Sequence, residues 1–517
     1  MANLGGLILG LLVTFLTYSI GEILVFKTDT RKLTRYPLVS TIWKYAPRFM
    51  HNLSYATNAT RILEKGYYKF KSTTFQHLRG QGNVIVLPLT VLEELAAIPA
   101  TVASPHGALE QDLLGDFTGL NLILESRIHH SIVQRKLTPR LNVLMPAMED
   151  ELRHAWERSF PDVGHDWTEF QPYQIFGKIS ASLTARALVG PELCRDEVWL
   201  DIAFNYTENL FRTIVLLRSV PKWMQSILCV FLPSYWNGKY YIRLAKQTLK
   251  PRIEKLLSQD IHSSPTEYDP ATSNVLYWLA ELAKGGDRSA DKLAHIEVLL
   301  ALASVHTTLL RMVNVLYDIT ASGPELVQEL REEILEVLAS KGEWTDNPYD
   351  KLHKLDSVMR ESQRMSPPTI VGMKRLFRQD YTFSDGTTFV PKGSYACMPT
   401  YTIENDPAHT DNPAKYDGLR YYRQFIGAEN EKEAEQFLFS SAGQTALNFG
   451  YGKSACPGRF FASKIIKMLF VKLLMEYDFQ FLPGTGRPKN IVVHEFLFCW
   501  PWQKMLVRKR GDAVSVV

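Results

Sequence analysis

The strongest constraint on this chain is a glycine-framed cysteine near its C-terminus. Cys456 sits in Phe449-Gly450-Tyr451-Gly452-Lys453-Ser454-Ala455-Cys456-Pro457-Gly458-Arg459, a turn that opens straight into an apolar helix. Gly450, Gly452 and Gly458 remove side-chain bulk where the backbone passes beneath a flat partner. They also admit positive φ values that other residues avoid. Phe449 supplies an aromatic wall. A thiolate in such a turn ligates iron when backbone N–H groups aimed at the sulfur keep it deprotonated. A lone cysteine is more often a small buried core residue, but that role has no use for three glycines at these spacings.

Two further patterns precede the loop. Glu361-Ser362-Gln363-Arg364 sets a carboxylate and a guanidinium three residues apart on one helix face, within pairing distance. The same spacing in Glu192-Leu193-Cys194-Arg195 shows how little the pair means alone. Earlier still, Ala303-Ser304-Val305-His306-Thr307-Thr308 lies within a long apolar run from Leu293 to Ile319. The plain interpretation of its threonines is hydroxyls bonded back to their own helix. Taken in order along the chain, helix, pair and cysteine loop resemble the cytochromes P-450, the heme-thiolate monooxygenases.

That resemblance carries expectations. Cys456 is the expected axial ligand of heme b, with Phe449, Gly450, Gly452 and Gly458 forming the loop beneath it. Glu361 and Arg364, joined by Arg420 from Tyr416-Asp417-Gly418-Leu419-Arg420-Tyr421, lock the region under the heme as structural support. Thr307 places a hydroxyl where oxygen is activated. The acidic residue that usually precedes this threonine is replaced by His306, which can relay protons near neutral pH. Arg375 matches a contact to a heme propionate, and His130 and Arg135 are further candidates. The second contact of the family, an aromatic residue or His followed four later by Arg, is off by one here. Ser454 stands where the family usually has Arg or His, with Lys453 beside it. The implied reaction inserts one atom of O₂ into a bulky apolar substrate. Electrons come from NADPH through a separate reductase, with cytochrome b5 as a second donor. Lys453, Lys464 and Lys467 are expected on the docking surface, and no fused flavin domain is expected after the loop. The loop wording resembles fungal microsomal members acting on terpenoid, indole-terpenoid or polyketide-derived skeletons. A fatty-acid or xenobiotic hydroxylase, a heme-thiolate isomerase or dehydratase, and a heme-binding electron carrier or sensor are the rivals.

The expected substrate wall combines Leu299, Leu302 and Ala303 with Ile370, Val371, Phe496 and Phe498. None of these carries a charge, so recognition is expected to rest on shape and apolar burial.

Periodicity gives the fold class. Val143 to Trp156, Ala181 to Leu188, Tyr206 to Leu217 and Tyr240 to Leu257 repeat apolar residues at helical spacing, and Ser258 to Ser273 is a polar loop. After Pro367-Pro368 the pattern changes. Arg375 to Phe383 and Thr387 to Val390 flank Ser384-Asp385-Gly386 as a hairpin, and Ser394 to Tyr401 is a further strand. The expectation is an α+β protein, predominantly helical. The family fold, a helical prism with a minor β region, agrees with it.

Residues 4–26, LGGLILGLLVTFLTYSIGEILVF, carry a single charge at Glu22 and are long enough to span a bilayer. Lys27, Arg31, Lys32 and Arg35 follow, so the positive-inside rule leaves the remainder in the cytosol. The expected organisation is a transmembrane anchor with its basic flank over 1–36 and a monooxygenase domain over 37–517. This makes the protein a single-pass protein of the endoplasmic reticulum membrane. Three sequons, at Asn52, Asn58 and Asn205, then stay unmodified. The net charge of +4 is interspersed along the chain, which gives nucleic-acid binding no support. Five scattered cysteines form no disulfide framework.

Overall fold

The computed structural model describes residues 36–43, 46–79, 82–259, 269–270, 272–340 and 347–515, with a few positions between 13 and 21. Apart from those few, the expected membrane span and its basic flank lie outside the described residues, as does most of the loop 258–273.

Helix α1 (Arg48–Lys69) leads into the hairpin of β1 (Phe75–Arg79) and β2 (Gly82–Val86). β3 (Ala103–Ser104) runs into α2 (Pro105–Asp112), where the Ser104 hydroxyl accepts the Gly107 N–H at 3.0 Å and Pro105 fills the first turn. Next come α3 (Ile128–Ile132), a π-helical turn over Val133–Leu137, α4 (Leu141–Ser159) and β4 (Thr168–Phe170). The helices α5 (Pro172–Leu188), α6 (Glu197–Arg218), α7 (Lys222–Leu228), α8 (Pro233–Ser258) and α9 (Val275–Leu282) follow.

At the centre is α10 (Ala290–Ser322), buried over most of its length between α5, α6, α8 and α12 (His353–Met365). It ends at Gly323, whose φ of 95° breaks the helix, and Pro324 starts α11 (Pro324–Ala339). Among the described residues α10 is the one helix apolar and long enough to cross a membrane, with a mean hydropathy of 1.6. It is a core helix all the same, being 72% buried over that window. Truncating one of its buried leucines to alanine costs about 2–5 kcal/mol.

The late β region holds β5 (Gly372–Phe377), β6 (Tyr381–Thr382), β7 (Phe389–Val390) and β8 (Tyr395–Met398). α13 (Thr400–Glu404), α14 (Arg420–Ile426), α15 (Arg459–Glu476), β9 (Tyr477–Phe481), β10 (Ile491–Val493), β11 (Phe496–Phe498) and β12 (Met505–Lys509) complete the chain. The largest sheet has the order β1-β2-β8-β5-β3, with β2 and β8 parallel. A three-stranded sheet orders β4-β12-β9, and β10-β11 forms a separate hairpin.

The α+β, mainly helical expectation holds, and each expected helix lies inside a longer observed one. The strand expected over 375–383 is two strands. β5 pairs with β8 and β6 with β7, because Arg378 leaves the ladder to donate its N–H to Val102 at 2.7 Å. The strand expected to reach Tyr401 stops at Met398, where Pro399 precedes α13.

Candidate active site

The cysteine loop is built by backbone. Gly450 and Gly452 have φ of 78° and 58°, and a Cβ on Gly450 would meet the Ser454 carbonyl at 2.9 Å. Gly458 does not share the expected positive φ: at −86° it is an ordinary first residue before α15. The Cys456 N–H donates to the Phe449 carbonyl at 2.7 Å, closing the turn. Phe449 meets Phe439 edge to face at 5.2 Å. Burial raises the Cys456 thiol, while the Gly458 N–H, the charge of Arg459 and the Arg459 N–H act to lower it. Cys456 keeps open surface as a residue while burial among protein atoms raises its thiol. This donor set suits an electron-rich thiolate.

Beneath the loop, Glu361 and Arg364 form a two-pronged pair at 2.7 and 2.8 Å, and Arg420 joins at 3.2 Å. The Asp417 N–H donates to the same carboxylate at 3.1 Å. Buried charges persist only when multiply bonded, and Arg364 also reaches the Pro413 carbonyl at 2.9 Å and the side chain of Asn405. One residue earlier than Asn405, Glu404 accepts the Leu447 N–H at 2.6 Å and the Asn448 amide at 2.7 Å, tying α13 to the segment entering the loop. Sequence reasoning missed Glu404, Asn405 and Asn448, since no local spacing marks them.

Arg375 is 3% exposed. Its Nη2 donates to Ser454 Oγ at 3.0 Å and its Nη1 to the Lys374 carbonyl at 2.9 Å. Its Nε has no partner, and no carboxylate among the described residues pairs with it. Burial alone pushes this guanidinium down to about 10. Burial lowers His106, and Arg127, His130 and Arg375 act in the same sense, so positive groups and no carboxylate among the described residues bear on it. Heme carboxylates fit that need. Ser454 takes no cation's place; it is the hydroxyl on which Arg375 rests.

His130 is half-buried and Arg135 exposed. The interval of five between them, wrong for an α-helical face, is explained by the π turn at Val133–Leu137, which inserts one residue. The Thr138 hydroxyl, at the end of that turn, donates to the carbonyls of Val133 at 2.9 Å and of Pro457 at 3.3 Å, linking the segment to the cysteine loop.

In the middle of α10, Ala303 and Thr307 are exposed while their neighbours Leu302, Val305, His306 and Thr308 are buried. Thr307 Oγ1 donates to the Ala303 carbonyl at 2.8 Å. His306 does not meet its expectation as proton relay. It turns to α6, its ring 4.8 Å from that of Phe204, and burial holds it down to about 4, so it is neutral at physiological pH. Lys464 and Lys467 are likewise lost to docking. Both are buried, Lys464 on Asp350 at 2.6 Å and Lys467 on Asp356, leaving Lys453 exposed.

A family model described as Cytochrome P-450 matches residues 126–501. The chain belongs to the cytochrome P-450 family, enzymes that use heme ligated by a cysteine thiolate and take electrons from a reductase. It is similar, at 36% identity over 93% of its length and 88% of the relative's, to cytochrome P-450 monooxygenase AN1598 of Emericella nidulans. It is 32% identical to monooxygenase paxP of Penicillium paxilli over 94% of this chain and 92% of that one. It is 30% identical to ent-kaurene oxidase of Fusarium fujikuroi over 92% and 88%. The chain is thus a heme-thiolate monooxygenase acting on an apolar substrate.

Proposed function

We propose that Cys456 would hold the heme iron of this monooxygenase through its thiolate and that its substrate is a polycyclic terpenoid or indole-terpenoid of fungal secondary metabolism. The observation that carries the ligand is the deep sulfur facing the N–H groups of Gly458 and Arg459. The substrate class rests on the relatives, one of them named an ent-kaurene oxidase. Heme bound here supplies oxygen activation and insertion of one oxygen atom at the cost of two electrons. Arg375, resting on Ser454, would hold one heme carboxylate, and His130 before the π turn and Arg135 on it would serve the other. Glu361, Arg364 and Arg420 fix the loop from below. Thr307 Oγ1, which donates to the Ala303 carbonyl, would be the hydroxyl able to turn and supply a proton beside the bound cofactor. Phe496 meets Phe211 edge to face at 5.5 Å and, with Phe498, forms an aromatic wall for the substrate.

An anchor over residues 1–36, a cytosolic domain over 37–517 and residence in the endoplasmic reticulum membrane complete the proposal, with cytochrome b5 as a second electron donor. Support comes from exposed apolar side chains at one place: Trp223, Ile227, Val230, Phe231 and Trp236 around α7, with Met50 and Leu53 of α1. Asn52 of α1 donates to the Arg218 carbonyl just before α7, which brings the two groups together. Such a surface suits a headgroup layer. The deciding experiment is the reduced, CO-bound spectrum. Wild type should show the red-shifted Soret band of thiolate ligation and Cys456→Ala should not. A Cys456→Ala protein with the wild-type band would end the assignment.

A further inference from the structure

Five charged side chains, far apart in sequence, meet in the interior beside Phe496. Arg79 on β1 lies 2.9 Å from Asp112 of α2 and 3.4 Å from Glu495. Arg218, the last residue of α6, donates to both Glu495 oxygens at 2.9 Å. Lys374 on β5 lies 2.9 Å from Asp112 and 4.0 Å from Glu495. Tyr395 donates to Asp112 at 2.6 Å, and the Arg79 guanidinium stacks over its ring at 4.1 Å. The remaining titratable neighbours carry no charge. Burial holds His77 down to about 3 and His494 down to about 4, and it raises the phenols of Tyr55 and Tyr395.

Three cations therefore face two carboxylates, leaving one positive charge in a mostly buried cluster. Such a charge is costly unless paired. Two donors, Arg79 Nη2 and Arg218 Nη1, have no acceptor among the described residues. Four of the five side chains are sealed, but that of Lys374 is 16% exposed, so it is the cation a ligand can reach. Arg218 and Lys374 both flank the Phe496 ring, at 5.4 and 5.7 Å from its centre, and Phe496 belongs to the aromatic wall assigned above. The expected apolar wall thus has two cations beside it at Phe496.

We propose that this cluster is the polar end of the substrate site, and that Lys374 receives a carboxylate carried by the substrate. The proposal rests on the monooxygenase reading and adds the chemical class of the molecule: an apolar skeleton bearing an acid at the end remote from oxidation. A preceding reaction must then supply that acid, either by oxidising a methyl or aldehyde carbon or by hydrolysing an acyl thioester or ester.

Matched acids and esters test it through the Soret shift on binding. Full-length protein is titrated with abietic acid against methyl abietate, and with lauric acid against methyl laurate. Wild type should bind at least one acid about tenfold or more tighter than its ester. Lys374→Met should abolish that preference while leaving the ester affinity within about twofold, and Lys374→Arg should restore it. Equal binding of acid and ester by wild type overturns the proposal, as does Lys374→Met weakening both alike, which would mark a purely structural cluster. The reduced, CO-bound spectrum separates the two levels: a normal red-shifted band without acid preference defeats only this inference, whereas absence of the band in wild type defeats the monooxygenase reading as well.

Discussion

Thr307 and His306 are adjacent in sequence yet differ in surroundings, because consecutive residues of an α-helix point about 100° apart. Thr307 is open and His306 is packed on Phe204. Thr307→Ala should keep heme but divert NADPH electrons to peroxide, whereas His306→Leu should keep the ratio of product to NADPH near wild type. Peroxide assays beside product yield check both; equal uncoupling by the two variants would restore His306 as a relay. Glu404 gives a second prediction. Burial, only partly opposed by the N–H of Leu447 and the charge of Arg360, raises its carboxyl to about 7 from an ordinary 4.5. The folded state then keeps a proton that the unfolded chain has released between those values. Stability from this group is present below pH 4.5, falls as pH rises to 7 and is flat above. Glu333, also raised to about 7, acts in the same sense. Glu404→Gln should therefore lose less thermal stability than wild type between pH 5 and pH 8. An identical loss would show that Glu404 titrates normally.

The elements show what a sequence can and cannot disclose. The turn around Cys456 and the Glu361/Arg364 pair were legible because their partners lie within a few residues. So was α10, whose burial on many sides makes it apolar almost throughout. The cluster of Arg79, Asp112, Arg218, Lys374 and Glu495 was not, since its members come from separate elements and no local spacing links them. The π turn was half legible: an interval of five stood out as an error in an α-helical pattern, and the extra residue is its cause. Removing Gln134, which is exposed, should close the turn to an α-helix and leave His130 and the arginine four apart, still on one face. Heme content per protein should then stay within about twofold of wild type. Inserting an alanine after Gln134 instead rotates His130 by about 100° relative to Arg135 and should lower it severalfold. Measured by the ratio of Soret to protein absorbance, the reverse order would refute the shared face.

For the whole molecule, the test of topology narrows to one sequon. Asn52 is 2% exposed and Asn205 half-buried, but Asn58 is exposed at an irregular position in α1, with φ of −136° and ψ of 27°. A folded domain on the lumenal side would present Asn58 to the glycosylation machinery. The proposed cytosolic domain should carry no glycan there and should be digested when protease is added to intact microsomes. A protected protein with a glycan on Asn58 would reverse the orientation.

The buried guanidinium of Arg375, paired with no carboxylate among the described residues, bears on how the protein survives in a cell. Folding without heme must desolvate that cation with one donor unmet, so the cofactor acts as a ligand of the native state alone and stabilises it by mass action. Newly made chains that outrun the heme supply are the ones exposed to proteases. Abundance in a producing host should therefore follow heme availability more closely than transcript level.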